Sequence, residues 1–105
     1  MNDPDTSLIR REQLPLPARY VAPRTPTERA LARIWARALS MDRVGIQDRY
    51  PDLGGDSLIA RAIFTEIEAL FGSDASLTLL SEAETIAELA ARIDAIPAPG
   101  SDATP

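Results

Sequence analysis

The stretch Asp52-Leu53-Gly54-Gly55-Asp56-Ser57-Leu58 sets two glycines and a carboxylate ahead of a hydroxyl. The apolar run after Ser57 has helical spacing, so the hydroxyl is expected in the first turn of a helix. Adjacent glycines leave the backbone without side-chain bulk, which lets another protein or a large cosubstrate approach Ser57 closely. Asp56 stands where a helix cap is favoured, and its carboxylate is also suited to help a neighbouring metal ion or to orient an attacking hydroxyl. A phosphate on Ser57 would meet unpaired N–H groups at the positive end of the helix dipole, a favourable place for an anion. Taken alone, the same residues are also ordinary loop-to-helix punctuation.

What the chain lacks narrows the chemistry. It contains no Cys and no His, so neither a Ser-His-Asp nor a Cys-His arrangement can form within it, and no catalytic residue or metal site is expected. Gly55-Asp56-Ser57-Leu58 matches the signature of a family of serine esterases, but such an enzyme needs a histidine base and a much larger α/β scaffold. The formal net charge of -5, without clustered Lys or Arg, argues against nucleic-acid binding. No apolar stretch is long enough to span a bilayer, and the first residues lack the order of a secretory signal, so no membrane association is expected and the cytoplasm is the expected compartment.

The elements that must position Ser57 read as helices. With 45% apolar but only 5% aromatic residues, one core built from Leu, Ile, Val and Ala is expected. Thr25-Pro26-Thr27-Glu28 is a capping box that starts a first helix, with Leu31, Ile34, Trp35, Ala38 and Leu39 on one face. Arg29, Arg33 and Arg37 recur elsewhere on that helix and read as a solvated face. A long connection follows from Ser40 to Asp56, with Val44, Ile46, Tyr50 and Leu53 as apolar anchors. The second helix is expected from Ser57 to about Phe71, burying Ala60, Ile63, Phe64 and Ile67 and stopping at Gly72. Residues 76–80 have room for one short helical turn. Thr85 and Glu88 then form a second capping box ahead of Ile86, Leu89, Ala90 and Ile93. The expectation is an all-α fold, a small four-helix bundle of three main helices and one short one, with a long loop between the first two. Residues 25–96 form the domain, between a Pro-rich segment over 1–24 and a flexible tail over 97–105.

Leu53-Gly54-Gly55-Asp56-Ser57-Leu58 resembles the phosphopantetheine attachment motif of peptidyl carrier proteins, the thiolation domains of nonribosomal peptide synthetases. The resemblance extends from Tyr20 to about Ile93. Tyr20-Val21-Ala22-Pro23-Arg24-Thr25-Pro26-Thr27-Glu28 and Ile34-Trp35-Ala36 resemble the family's first helix and its approach. Val44-Gly45-Ile46 with Asp48 resembles its long loop, and Thr85-Ile86-Ala87-Glu88-Leu89 its last helix. Two places depart from the pattern: Tyr50-Pro51 stands where two aromatic residues are usual, and Ser81 and Glu84 stand where Phe and Pro are typical.

The resemblance implies an acyl-carrier-like bundle that catalyses nothing and holds an acyl or aminoacyl group as a thioester. The cofactor it implies is 4′-phosphopantetheine, attached covalently to Ser57 with Gly55 and Asp56 in support. A phosphopantetheinyl transferase would attach it from coenzyme A with a magnesium ion. An adenylation enzyme would load the thiol, and condensation or tailoring enzymes would use the cargo. Residues following Ser57 favour the peptidyl over the fatty-acyl type, which usually has acidic residues there. Ile46, Leu58, Arg61 and Ala62 are the implied partner surface, although Leu58 and Ile59 would equally suit packing against the bundle. Arg11-Glu12-Gln13-Leu14-Pro15-Leu16-Pro17 resembles the tail of an adenylation domain and reads equally as a plain Pro-rich linker. The chain is expected to be a monomer, and Met1 favours a free-standing carrier over an excised piece of a synthetase. The reading from another class is a helical interaction module that carries no arm.

Overall fold

A computed structural model describes residues 8–72 and 83–95. Helix α1 spans Pro26–Leu39, α2 Ser57–Phe71 and α3 Ile86–Asp94. Both expected capping boxes are formed. The Thr25 hydroxyl accepts the Glu28 N–H at 3.0 Å while the Glu28 carboxylate accepts the Thr25 N–H at 3.2 Å, and Thr85 with Glu88 repeats the exchange at the start of α3. Each box satisfies two N–H groups that a helix start leaves without an intrahelical partner. Helix α2 stops at Gly72, whose φ of 97° few other residues would adopt. The short turn expected over 76–80 and the tail over 97–105 lie outside the described residues.

One face of each helix supplies the core. Leu31, Ile34, Trp35 and Leu39 of α1 meet Ile63 and Ile67 of α2 and Ile86, Leu89, Ala90 and Ile93 of α3. Each fully buried aliphatic side chain contributes about 1.5–3 kcal/mol relative to an exposed one, so these residues dominate the stability. The result is a small all-α bundle, and among the described residues no β-strand forms. No described helix is long and apolar enough to cross a membrane.

The loop between α1 and α2 is tied down along its length. Met41, Val44, Ile46 and Leu53 enter the core, the Ala87 N–H donates to the Ile46 carbonyl at 3.0 Å, and a 3-10 turn forms over Tyr50–Leu53. Ile46 has no exposed surface, so it holds the loop to the bundle and cannot belong to the partner surface expected from sequence.

Residues 8–24, expected from sequence as a Pro-rich linker or a docking tail, lie along the bundle. Ile9 forms a parallel bridge with Met41, Leu14, Leu16 and Val21 pack against the core, and the Ile46 N–H donates to the Val21 carbonyl at 3.0 Å. The anchor is Arg11, whose Nε donates to the fully buried Asp48 carboxylate at 2.6 Å and whose Nη2 donates to the Ala18 carbonyl at 2.9 Å. Asp48 also accepts the Gly45 N–H at 2.8 Å, so one carboxylate joins this segment to the loop.

Candidate functional site

The loop delivers its hydroxyl through a sequence of local constraints. The 3-10 turn closes at Gly54, whose φ of 82° is left-handed, and its N–H donates to the Pro51 carbonyl at 3.1 Å. No atom lies near the place a Gly54 Cβ would occupy, so conformation alone requires that glycine. Gly55 has the opposite reason. A Cβ there would fall 2.2–2.5 Å from the Tyr50 ring, so Gly55 makes room for that ring. The glycine pair was expected to keep the approach to Ser57 open, yet at Gly55 the space is already taken from within the chain.

Asp56 follows as the N-cap of α2, with φ -128° and ψ -179°, and its carboxylate accepts the Ile59 N–H at 2.8 Å. Its carbonyl accepts two further bonds, from the Ala60 N–H at 2.9 Å and from the Tyr50 hydroxyl at 2.7 Å. The Tyr50 ring meets Trp35 edge to face with centroids 5.4 Å apart, and the Tyr50 N–H donates to the Glu84 carbonyl at 2.8 Å. Partial burial, with the nearby Asp56 charge as a second cause, raises the Tyr50 phenol above its ordinary pKa, so it remains a donor throughout the neutral range.

Ser57 is the first residue of α2 and is exposed. Its hydroxyl forms no hydrogen bond with any described residue, so no described group activates it as a nucleophile. The N–H groups of Ser57 and Leu58 likewise have no partner among the described residues, since the capping interactions serve Ile59 and Ala60. No group of His, Cys, Asp or Glu among the described residues could hold a metal ion. The site therefore offers an exposed hydroxyl beside open donors at the positive end of a helix, a setting that favours an anion.

Around Ser57 the surface is uneven. Leu58 is 77% exposed and Ile59 is half-buried against the core, which separates the two residues that sequence left undecided. Arg61 and Ala62 are exposed, one turn further along. A groove of about 590 Å³ starts at Ser57 and runs along α2 past Ala60, Arg61, Phe64, Thr65 and Glu68. Sequence reasoning missed Tyr50 as a support of Ser57. The available signal was a phenol beside a Pro in a loop otherwise pinned by apolar anchors.

Comparison with known proteins gives a consistent set of likenesses. The family described as "Phosphopantetheine attachment site" matches residues 29–93. The chain is 44% identical over 77 residues, 73% of its length, to one component of the linear gramicidin synthase of Brevibacillus parabrevis, of which this covers 2%. Among solved structures it is similar to a chain in a complex of a phosphopantetheine transferase, coenzyme A and a peptidyl carrier protein, with 33% identity and a TM-score of 0.67. That match covers 71% of this chain and 97% of the other. It is also similar to a type-II acyl carrier protein from Streptomyces verticillus involved in bleomycin biosynthesis, with 37% identity, a TM-score of 0.59, and coverage of 66% of this chain and 83% of the other. The chain thus spans a small fraction of the curated synthetase it matches and most of each of these solved carrier-sized chains.

Proposed function

Since the chain belongs to the phosphopantetheine attachment-site family, as a carrier domain of the peptidyl kind found in nonribosomal peptide synthetases, we propose that Ser57 is the residue that bears the arm. The observation that carries this reading is the exposed hydroxyl of Ser57 at the head of α2, beside the open N–H groups of Ser57 and Leu58. In the transfer, the Ser57 Oγ forms a bond to the phosphorus that carries the pantetheine chain of coenzyme A. The P–O bond to the nucleotide breaks, 3′,5′-ADP leaves, and the hydroxyl proton passes to a base of the transferase, because no His exists in this chain to take it. The helix end contributes about 0.3–1 kcal/mol to holding the diester anion.

When bound, the group supplies a thiol that holds an acyl or aminoacyl cargo as a thioester. Gly55 and Asp56 support the site, Gly55 by admitting the Tyr50 ring and Asp56 by capping the helix. Exposed Leu58, Arg61 and Ala62 form the surface that a transferase, an adenylation enzyme and condensation or tailoring enzymes would touch. The carrier itself performs no turnover, works as a monomer and resides in the cytoplasm with its partners. The test is intact mass after coexpression with a broad-specificity phosphopantetheinyl transferase. Wild type should gain the mass of one phosphopantetheine group and Ser57→Ala none. An unmodified wild type, or a modified Ser57→Ala, would overturn the assignment.

A further inference from the structure

Tyr50 joins α1, the residues just ahead of α2 and the residue Glu84 that precedes α3. Its ring crosses Trp35 of α1 at 75° and fills the space beside the Gly55 Cα. Its N–H binds the Glu84 carbonyl just before α3, a link reinforced by the Arg49 Nε to Glu84 bond of 2.9 Å. Its hydroxyl donates to the Asp56 carbonyl at 2.7 Å. That carbonyl belongs to the peptide unit whose N–H is Ser57's own. Because a trans peptide is planar, holding the carbonyl oxygen fixes the direction of the Ser57 N–H and narrows the rotation about the bond that leads to the Ser57 Cα.

We propose that Tyr50 is a positioning residue, whose hydroxyl orients the Asp56–Ser57 peptide so that the Ser57 side chain and the free N–H groups face an incoming phosphate. Tyr50 acts here without touching the substrate. The Asp56 carboxylate and the Ala60 N–H already hold the first turn of α2 from within the helix. Tyr50 alone, among the described residues, ties that turn by a side-chain hydrogen bond to the loop, and through the loop to α1 and α3. A phenylalanine could fill the same space and pack against Trp35, so the hydroxyl has a separable role. That role is directional, since one hydrogen bond selects one peptide orientation from the several an N-cap can sample.

The inference about phosphate capture rests on Ser57 being the attachment site, and Tyr50→Phe separates the two ideas. Two measurements are made on the unmodified protein. Amide exchange followed by NMR should show Ile59 and Ala60 exchanging about fivefold faster in Tyr50→Phe, the factor that one neutral hydrogen bond commonly represents, with Ile34 and Ile67 unchanged. With a phosphopantetheinyl transferase and coenzyme A, KM for the carrier should rise by about the same factor while kcat changes less than twofold, because fewer carriers present the competent orientation. A loss of packing alone would quicken exchange along α1 and α2 together, and that result overturns the proposal. So does unchanged exchange at Ile59 and Ala60, or local loosening with an unchanged KM. If wild type itself accepts no phosphopantetheine, the assignment of Ser57 fails and phosphate capture with it, while the exchange measurement still decides whether Tyr50 orders the turn.

Discussion

Gly54 and Gly55 are neighbours with different reasons to be glycine. Gly54 has a left-handed φ and open space, so Gly54→Ala should destabilise by about 1 kcal/mol through backbone strain whatever stands at position 50. Gly55 has no such φ, and its Cβ would collide with the Tyr50 ring. Gly55→Ala should therefore cost about 1–3 kcal/mol in the presence of Tyr50 and close to nothing beside Tyr50→Ala, a double-mutant cycle read from urea denaturation. Equal costs in both backgrounds would refute steric exclusion by the ring. Glu28 makes a second prediction. Its carboxylate is buried and accepts from the Arg24 side chain and from the Arg24 and Thr25 N–H groups, with the Arg24 side chain the largest cause of a pKa lowered from 4.5 to about 2. A carboxyl whose folded pKa is depressed stabilises fully above its unfolded pKa and loses that contribution as pH falls through the folded value. Acid titration of stability should show wild type losing more than Glu28→Gln between about pH 4.5 and 2, and parallel curves would contradict the assignment.

The helices were legible in the sequence because their signals are local. Thr25 to Glu28 and Thr85 to Glu88 span one turn each, and the capping boxes form as read. Asp56, Ser57 and Gly72 likewise mark the ends of α2 without reference to anything distant. The long loop was legible only as a pinned segment, since its anchors are visible but their partners are not. Asp48 is paired with Arg11, 37 positions away, and no period or spacing announces such a pair. Replacing Arg11 with Met leaves a buried carboxylate without its cation and should cost about 3–5 kcal/mol in denaturant unfolding. Replacing both as Arg11→Met with Asp48→Asn should recover part of that loss. A cost below about 1 kcal/mol for Arg11→Met would place the pair among surface ion pairs and contradict its burial.

At the scale of the molecule, the largest difference from the sequence reading is the extent of the folded body. Residues 8–24 lack helical periodicity and are rich in Pro, which suggested a linker. In the structure Leu14 and Leu16 turn toward the core while Pro15 and Pro17 face solvent, the Leu16 N–H bonding back to the Leu14 carbonyl at 2.8 Å, a tight turn that a search for helices passes over. The guanidinium carbons of Arg11 and Arg43 lie 5.3 and 4.5 Å from the Tyr20 ring centre, cation–π contacts that composition does not reveal. Ser57 stands clear of this packing, on the face formed by the start of α2, and the motif around it was legible because its residues are contiguous. What contiguity concealed was the support beneath it, which comes from Tyr50 and through it from Trp35 and Glu84. The most direct test of the carrier reading is peptide mapping by mass spectrometry after the purified chain reacts with coenzyme A, magnesium and a phosphopantetheinyl transferase. The modification should sit on Ser57 and nowhere else, and its appearance on another hydroxyl such as Ser40 or Thr65, or its absence from every peptide, would contradict the account.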